Sequence, residues 1–241
     1  MDPVTVRNLT KAYPGFKLDA VSFSLPAGRI AGFVGRNGAG KTTAIKSMLD
    51  LIHPDGGEID YFGMPLAGNE AQVKRRIGYS TGAVSWYPRR RIRDIKNVAR
   101  RFYDSWDEGL YERYLRLFEL DEDKTPRELS DGMKVKCSLP FALSHGAEAL
   151  ILDEPTSGLD PLSRDELLEL FGRIRQEGVA VLFSTHIISD VERCADDIVY
   201  LSRGRVVAAT PKEEFAERYK MPGETLEEAI VHLEKSVQQY A

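Results

Sequence analysis

The stretch Gly35-Arg36-Asn37-Gly38-Ala39-Gly40-Lys41-Thr42, followed by Thr43, carries the clearest chemistry in this sequence. Its spacing is that of a phosphate-binding loop: Gly, four residues, then Gly-Lys-Thr. Glycines let such a backbone wrap so that its N–H groups face inward around an anion. A helix starting at the end of the loop adds the positive end of its dipole. Lys41 would reach the β- and γ-phosphates of a nucleotide, and the Thr42 hydroxyl would coordinate Mg²⁺. A second place for chemistry is Ala149-Leu150-Ile151-Leu152-Asp153-Glu154, an apolar run ending in two carboxylates. In phosphoryl-transfer sites a strand-end Asp holds the Mg²⁺, and Glu154, the next acid, is placed to polarise an attacking water. A third is Ser184-Thr185-His186, where His186 leaves an apolar run at the edge at which open α/β sheets take ligands. Tyr13 is either a ring for a purine to stack on or an ordinary strand-end tyrosine.

These residues need elements to hold them. Ile30-Ala31-Gly32-Phe33-Val34 reads as a buried strand leading into the loop, and Thr42 to Leu51 as a helix stopped by His53-Pro54. Upstream, Val4, Val6 and Leu9, then Val21, Phe23 and Leu25, read as strands, with turns at Pro14-Gly15 and Pro26-Ala27-Gly28. Glu58 to Phe62 is a short strand, and Val73 to Tyr79 leads into another. From about residue 83 the composition changes: residues 83 to 143 look like a helical insert in an α/β core. Its start is basic (Arg89, Arg90, Arg91, Arg93, Lys96, Arg100, Arg101) with Trp86, Phe102, Tyr103 and Trp106 interspersed. Asp94, Asp104, Asp107 and Glu108 interleave, which points to a solvated helical face or a protein-docking surface rather than nucleic acid. After the Asp-Glu strand come an amphipathic helix over 162 to 176 and a buried strand from Val179 to Phe183. A closing hairpin follows (Ile198 to Leu201 and Arg205 to Ala209, joined at Arg203-Gly204). Residues 211 to 241 form a charged helical extension with Leu226, Ala229, Ile230 and Leu233 on one face.

The chain has 241 residues, 42% apolar and 29% charged, room for a large α/β domain. Its net charge of −4 gives no overall pull towards nucleic acid or anionic lipid. No apolar run approaches the roughly 20 residues that span a bilayer, and MDPVTVRNL has no signal-peptide pattern. Cys137 and Cys194 match no metal spacing and read as two buried, reduced thiols. The expectation is a cytosolic protein that needs a separate membrane partner if it works at a membrane.

Leu129-Ser130-Asp131-Gly132-Met133, heading a helix shortly before the Asp-Glu strand, resembles the LSGGQ signature of ATP-binding cassette (ABC) proteins. The order of the other parts is similar to that family from residue 2 to 210. Tyr13 matches its adenine-stacking aromatic, residues 35 to 43 its Walker A loop, and Asp153 and Glu154 its Walker B and catalytic glutamate. Ser157-Gly158-Leu159-Asp160 matches its D-loop and His186 its switch histidine. The resemblance implies a P-loop NTPase (RecA-like) core with an antiparallel β-subdomain and the helical insert, working with ATP and Mg²⁺. It looks most like the bacterial single-cassette type whose transmembrane permease is a separate chain, and Thr225-Leu226-Glu227-Glu228-Ala229-Ile230 resembles the ends of such subunits. It also implies a pair of cassettes, alike or different, in which the helix N-terminus at Ser130, Asp131 and Gly132, with Asp160 of the D-loop, closes on the nucleotide held by the opposite P-loop.

Three positions depart from the family pattern. Where the family places a Gln or an acid, three residues after Tyr79, stands Gly82, with no side chain for Mg²⁺ or the γ-phosphate; the hydroxyls of Ser80, Thr81 or Ser85 would have to substitute through water. Asp131 sits beside a presumed phosphate site, and is expected to point outward. Pro140 lies inside the signature helix, where it should remove one backbone hydrogen bond and kink it. Gly82 motivates a second reading, a nucleotide-gated regulatory subunit that hydrolyses weakly. A third, a soluble ABC ATPase acting on DNA or ribosomes, resembles tandem or coiled-coil-split cassettes, and neither feature is present.

Overall fold

The computed structural model of the chain describes residues 2–81 and 87–239. Strands β1 (Val4–Tyr13), β2 (Phe16–Leu25) and β3 (Ile30–Val34) come first, then helix α1 (Lys41–Met48), β4 (Gly56–Tyr61), β5 (Met64–Pro65), α2 (Glu70–Lys74) and β6 (Ile77–Ser80). Three helices follow, α3 (Ile92–Ala99), α4 (Glu108–Leu117) and α5 (Asp131–Leu143). The chain then alternates through β7 (Ala149–Asp153), α6 (Pro161–Gln176), β8 (Ala180–Thr185) and α7 (Ile188–Cys194). It closes with β9 (Asp197–Ser202), β10 (Arg205–Pro211), α8 (Lys212–Tyr219) and α9 (Leu226–Gln239).

Two sheets result. β2-β1-β4-β5 is antiparallel, and β10-β9-β3-β8-β7-β6 is parallel from β9 to β6, with β10 antiparallel at its edge. The parallel strands show no apolar–polar alternation because both faces are covered. Ile30, Val34, Leu150, Leu152, Val181 and Phe183 face the core under α5, α6 and α7. Ala31, Phe33, Ala149, Ile151, Ala180 and Leu182 face a second core shared with the antiparallel sheet and α1. The α/β architecture read from the sequence is therefore present, with α3 to α5 entering between β6 and β7.

Val4, Val6 and Leu9 all point into that second core although their spacing is two, then three. The register of β1 against β2 shifts between Val6 and Leu9, and Asn8 takes a left-handed φ of 49°. A bulge of this kind adds the one residue that keeps Leu9 on the buried face. The helix after the loop ends at Met48 rather than at Leu51. Asp50 is left-handed (φ 56°), and the Leu51 amide turns back to the Lys46 carbonyl at 2.9 Å, which stops the helix as a C-terminal glycine usually does. Helix α5 runs on through Pro140 to Leu143. Of the two thiols expected to be buried, Cys137 is, while Cys194 is only half-buried at the end of α7; Gly82, Ser85 and Trp86 lie outside the described residues.

The helical insert is joined to the core by His145, buried after α5, whose Nε2 meets the Ile77 carbonyl at 3.1 Å and whose ring stacks on Tyr103. Burial holds the His145 imidazole below its ordinary pKa of 6.5. The folded state thus binds a proton less readily than the unfolded chain, so stability is full above the unfolded pKa and falls as pH drops through and below it. We expect the Tm to decline between about pH 7.5 and about pH 5.5 more steeply than in His145→Gln, whose amide does not titrate. Thermal melts of the two proteins across that range check it; parallel curves would refute it.

Candidate nucleotide site

The parallel register brings the chemistry-bearing residues to one edge. Val34 lies opposite Thr185 and Asp153 opposite Ser184, so β3, β8 and β7 end level with one another. Beyond those ends lies a cleft of about 620 Å³, walled by Gly15, Phe16, Arg36, Asn37, Gly38, Gly40, Lys41, Thr42, Thr43, Glu154, Ser157 and His186. Most of the positions expected from the sequence to contact a nucleotide line it.

The loop from Gly35 to Gly40 needs its glycines at two places. A Cβ at Gly35 would come within 2.4 Å of the Leu201 carbonyl oxygen, and one at Gly40 within 2.7 Å of Phe16 and Leu18. Gly40 also has φ 110°, which a side chain would resist, and it is the N-cap of α1. Ala39 closes a turn onto the Arg36 carbonyl at 3.0 Å, and its own carbonyl accepts from the Gly204 amide at 3.0 Å. Lys41 is 6% exposed; its Nζ donates to the Gly35 carbonyl at 2.7 Å and lies 3.1 Å from Glu154 Oε1. One ammonium group is thus held between the loop and the second acidic residue.

The carboxylates are set by a hydroxyl that the sequence reading did not single out. Ser184 Oγ donates to Asp153 Oδ1 at 2.7 Å and accepts from the Glu154 amide at 2.9 Å. The Thr42 hydroxyl reaches the same Asp153 oxygen at 3.3 Å. Thr42 and Asp153 therefore present hard oxygen donors side by side, the donor set that Mg²⁺ takes. Glu154 turns out of the strand with a left-handed φ of 50°. Its Oε2 meets His186 Nδ1 at 2.9 Å. Because a carboxylate only accepts, that nitrogen carries the proton in this pairing. In the sequence Ser184 stands only as the first polar residue after the apolar run from Val179 to Phe183.

Other expected residues stand elsewhere. Tyr13 ends β1, exposed, opposite Phe16 in the hairpin register, and Lys11 Nζ lies 5.8 Å from its ring centre. Phe16, which the sequence reading passed over, is the aromatic residue in the cleft wall. Ser130, Asp131, Gly132 and Asp160 do not line the cleft; they gather where α5 and α6 begin. Ser130 caps α5 by accepting from the Met133 amide at 3.2 Å. Gly132 packs on Ser163, whose Oγ would be 2.7 Å from an added Cβ. Asp160 caps α6 by accepting from the Leu162 and Ser163 amides, both at 3.1 Å. Hydrogen bonds from the Ser163 hydroxyl and then its amide hold the Asp160 carboxyl below the usual carboxylate range. Asp131 points to solvent, as expected, with Lys134 Nζ at 2.8 Å.

A loop of amides and one lysine at a helix start, beside an aspartate, a glutamate and a histidine on neighbouring strand ends, defines the class: a P-loop nucleoside triphosphatase. The family model described as ABC transporter matches residues 18–157. The bacitracin transport ATP-binding protein BcrA of Bacillus licheniformis is 32% identical over 219 residues, 89% of this chain and 72% of that protein. The Nod factor export ATP-binding protein I of Burkholderia orbicola is 33% identical over 213 residues, 86% and 70% respectively. A solved structure of the ATP-binding subunit of an ABC transporter superposes with a TM-score of 0.85 at 31% identity, covering 95% of this chain and 98% of that one. The chain belongs to the ABC transporter family; it is an ATP-binding subunit and an ATPase.

Ser184→Ala would leave the Glu154 amide and the Asp153 carboxylate without their shared partner. We expect it to lower unfolding stability by about 1–3 kcal/mol and to reduce turnover, while Ser184→Thr keeps the hydroxyl and most of both. Urea unfolding beside steady-state ATP hydrolysis reads the two effects; an Ala variant as stable as wild type would mean that the hydroxyl is not what sets these carboxylates.

Proposed function

We propose that ATP is hydrolysed in the cleft between the 35–43 loop and the ends of β7 and β8, and that the energy moves a separate transmembrane permease. The single observation that carries this is the cluster of contacts Lys41–Glu154 at 3.1 Å, Thr42–Asp153 at 3.3 Å and His186–Glu154 at 2.9 Å at adjoining chain positions. Lys41 binds the β- and γ-phosphates as a point charge, and amides of the loop surround them. Thr42 and Asp153 would hold Mg²⁺, which supplies charge neutralisation on the phosphates when bound. Glu154 accepts the proton of the attacking water. His186, through Nδ1, keeps the Glu154 carboxylate turned towards the cleft. Tyr13 and Phe16, paired at the end of the first hairpin, offer rings to the base.

The second cassette supplies what one chain keeps away from its own cleft. The N-termini of α5 and α6, at Ser130, Gly132 and Asp160, lie together and form an anion-seeking surface suited to the γ-phosphate of the opposite site. The permease docks on the helical insert. A groove of about 550 Å³ between insert and core, walled by Leu49, Leu51, Tyr79, Ala99, Tyr103 and His145, has the mixed apolar lining that a short amphipathic segment fits. Among the described residues no helix is long and apolar enough to cross a membrane. In this reading the chain works at the cytoplasmic face of the membrane, held there by that partner. The Nod factor relative's role in export supports outward transport.

Lys41→Ala should abolish ATP binding, read by titration calorimetry; undiminished affinity would remove the loop from the site. Glu154→Gln should bind ATP without turning it over and accumulate as a dimer, read by phosphate release and light scattering. Turnover surviving in that variant, or a monomer with ATP bound, would overturn the assignment.

A further inference from the structure

Asp190 lies in the first turn of α7, four residues after His186, and is 1% exposed. It takes no part in the cleft, yet its carboxylate is fully engaged. Oδ2 accepts from the Thr156 hydroxyl at 2.6 Å, and Oδ1 accepts from Arg164 Nε. Arg164 reaches on to Ser189 Oγ at 2.8 Å. A carboxylate removed from water is costly unless it is paired and hydrogen-bonded. Here the partners come from different segments. Thr156, itself 1% exposed, stands two residues after Glu154. Arg164 is on the first turn of α6, four residues after Asp160. Asp190 shares its helix with neither.

We propose that Asp190 is a positioning residue for hydrolysis: it locks the turn carrying Glu154 and the start of α6 to the helix that begins just after His186. The inference rests on the reading of Glu154 and His186 as the hydrolytic pair. Both leave their strands without helical support: Glu154 has left-handed backbone, and His186 precedes α7. Their contact, His186 Nδ1 to Glu154 Oε2 at 2.9 Å, joins two separate chain segments. The Thr156–Asp190 bond ties those same two segments at a second point, on short side chains with few rotamers. Ser184 joins the two segments at the strand ends, and the Thr156–Asp190 bond adds a tie beyond those ends, where it restrains the angle at which the turns bring Glu154 and His186 together. Misplacing a catalytic group by about 1 Å can cost about 100-fold in rate.

Thr156→Val removes the hydroxyl at nearly constant volume, and Thr156→Ser restores it. In Thr156→Val we expect kcat to fall about 10- to 100-fold with KM for ATP unchanged. We also expect the ring-nitrogen NMR signals of His186, assigned by their loss in His186→Gln, to shift without nucleotide as the bond to Glu154 loosens. Thr156→Ser should return both. If Thr156→Val does not fold, Thr156→Ala removes the same hydroxyl. Unchanged ring signals and kcat in a folded hydroxyl-less variant would overturn the proposal, as would a loss that Thr156→Ser fails to recover. A wild-type protein with no Glu154-dependent turnover would sink the hydrolytic reading instead, and the ring signals would still decide whether Thr156 and Asp190 position His186.

Discussion

The site depends on the register of three parallel strands. With Val34 opposite Thr185 and Asp153 opposite Ser184, the phosphate loop, the two carboxylates and the histidine leave the sheet at one level. Because alternate residues face opposite cores, a slip of one residue between β7 and β8 would put Leu150 and Leu152 into the core now filled by Ala149 and Ile151. Packing on both faces therefore enforces an alignment that the chemistry requires. The Ser184 hydroxyl can serve Asp153 and Glu154 together only while that alignment holds.

Register alone does not shape the loop. The closing hairpin does, by pressing Leu201 against Gly35 and by giving the Gly204 amide to Ala39. The Gly204 carbonyl accepts in turn from Asp19 in the antiparallel sheet at 2.8 Å, so the phosphate loop is braced through one turn by both sheets. Glu154 shows a different constraint. A non-glycine residue at φ 50° is disfavoured, and it is held there by its amide on Ser184 and its side chain between Lys41 and His186. Local backbone strain of this kind persists where surrounding contacts over-determine it.

Much of this was legible in the sequence because the signals are local. A glycine loop ahead of Lys41-Thr42, an apolar run ending in Asp153-Glu154 and a histidine just past another such run each give a residue type, an element and an end of that element. With strands that parallel, the ends can meet only at one edge. What escaped was long-range or ran against residue preference. Ser184 and Asp190 look unremarkable in sequence, because their partners are 31 and 34 residues away. The stop of α1 at Met48 was hidden because Asp50, not glycine, takes the left-handed turn. The bulge at Asn8 shows only in the odd spacing between Val6 and Leu9.

The residues named from the sequence fall into two groups that one chain keeps apart, and the separation is itself informative. Lys41, Thr42, Glu154 and His186 line the cleft, with Asp153 on Thr42; Ser130 and Asp160 cap two adjacent helix starts outside it, with Gly132 in the first turn of α5. Helix starts are costly to leave bare, and here the side chains of Ser130 and Asp160 take up the amides of Met133, Leu162 and Ser163. Under the proposed function, the cleft and the two helix starts are the two halves of a site that a second cassette completes. Asp190 matters in that setting because Arg164 carries its grip into α6, whose first turn follows Asp160. Thr156, Asp190 and Arg164 thus join the turn after Glu154 to the first turn of α6 by two hydrogen bonds.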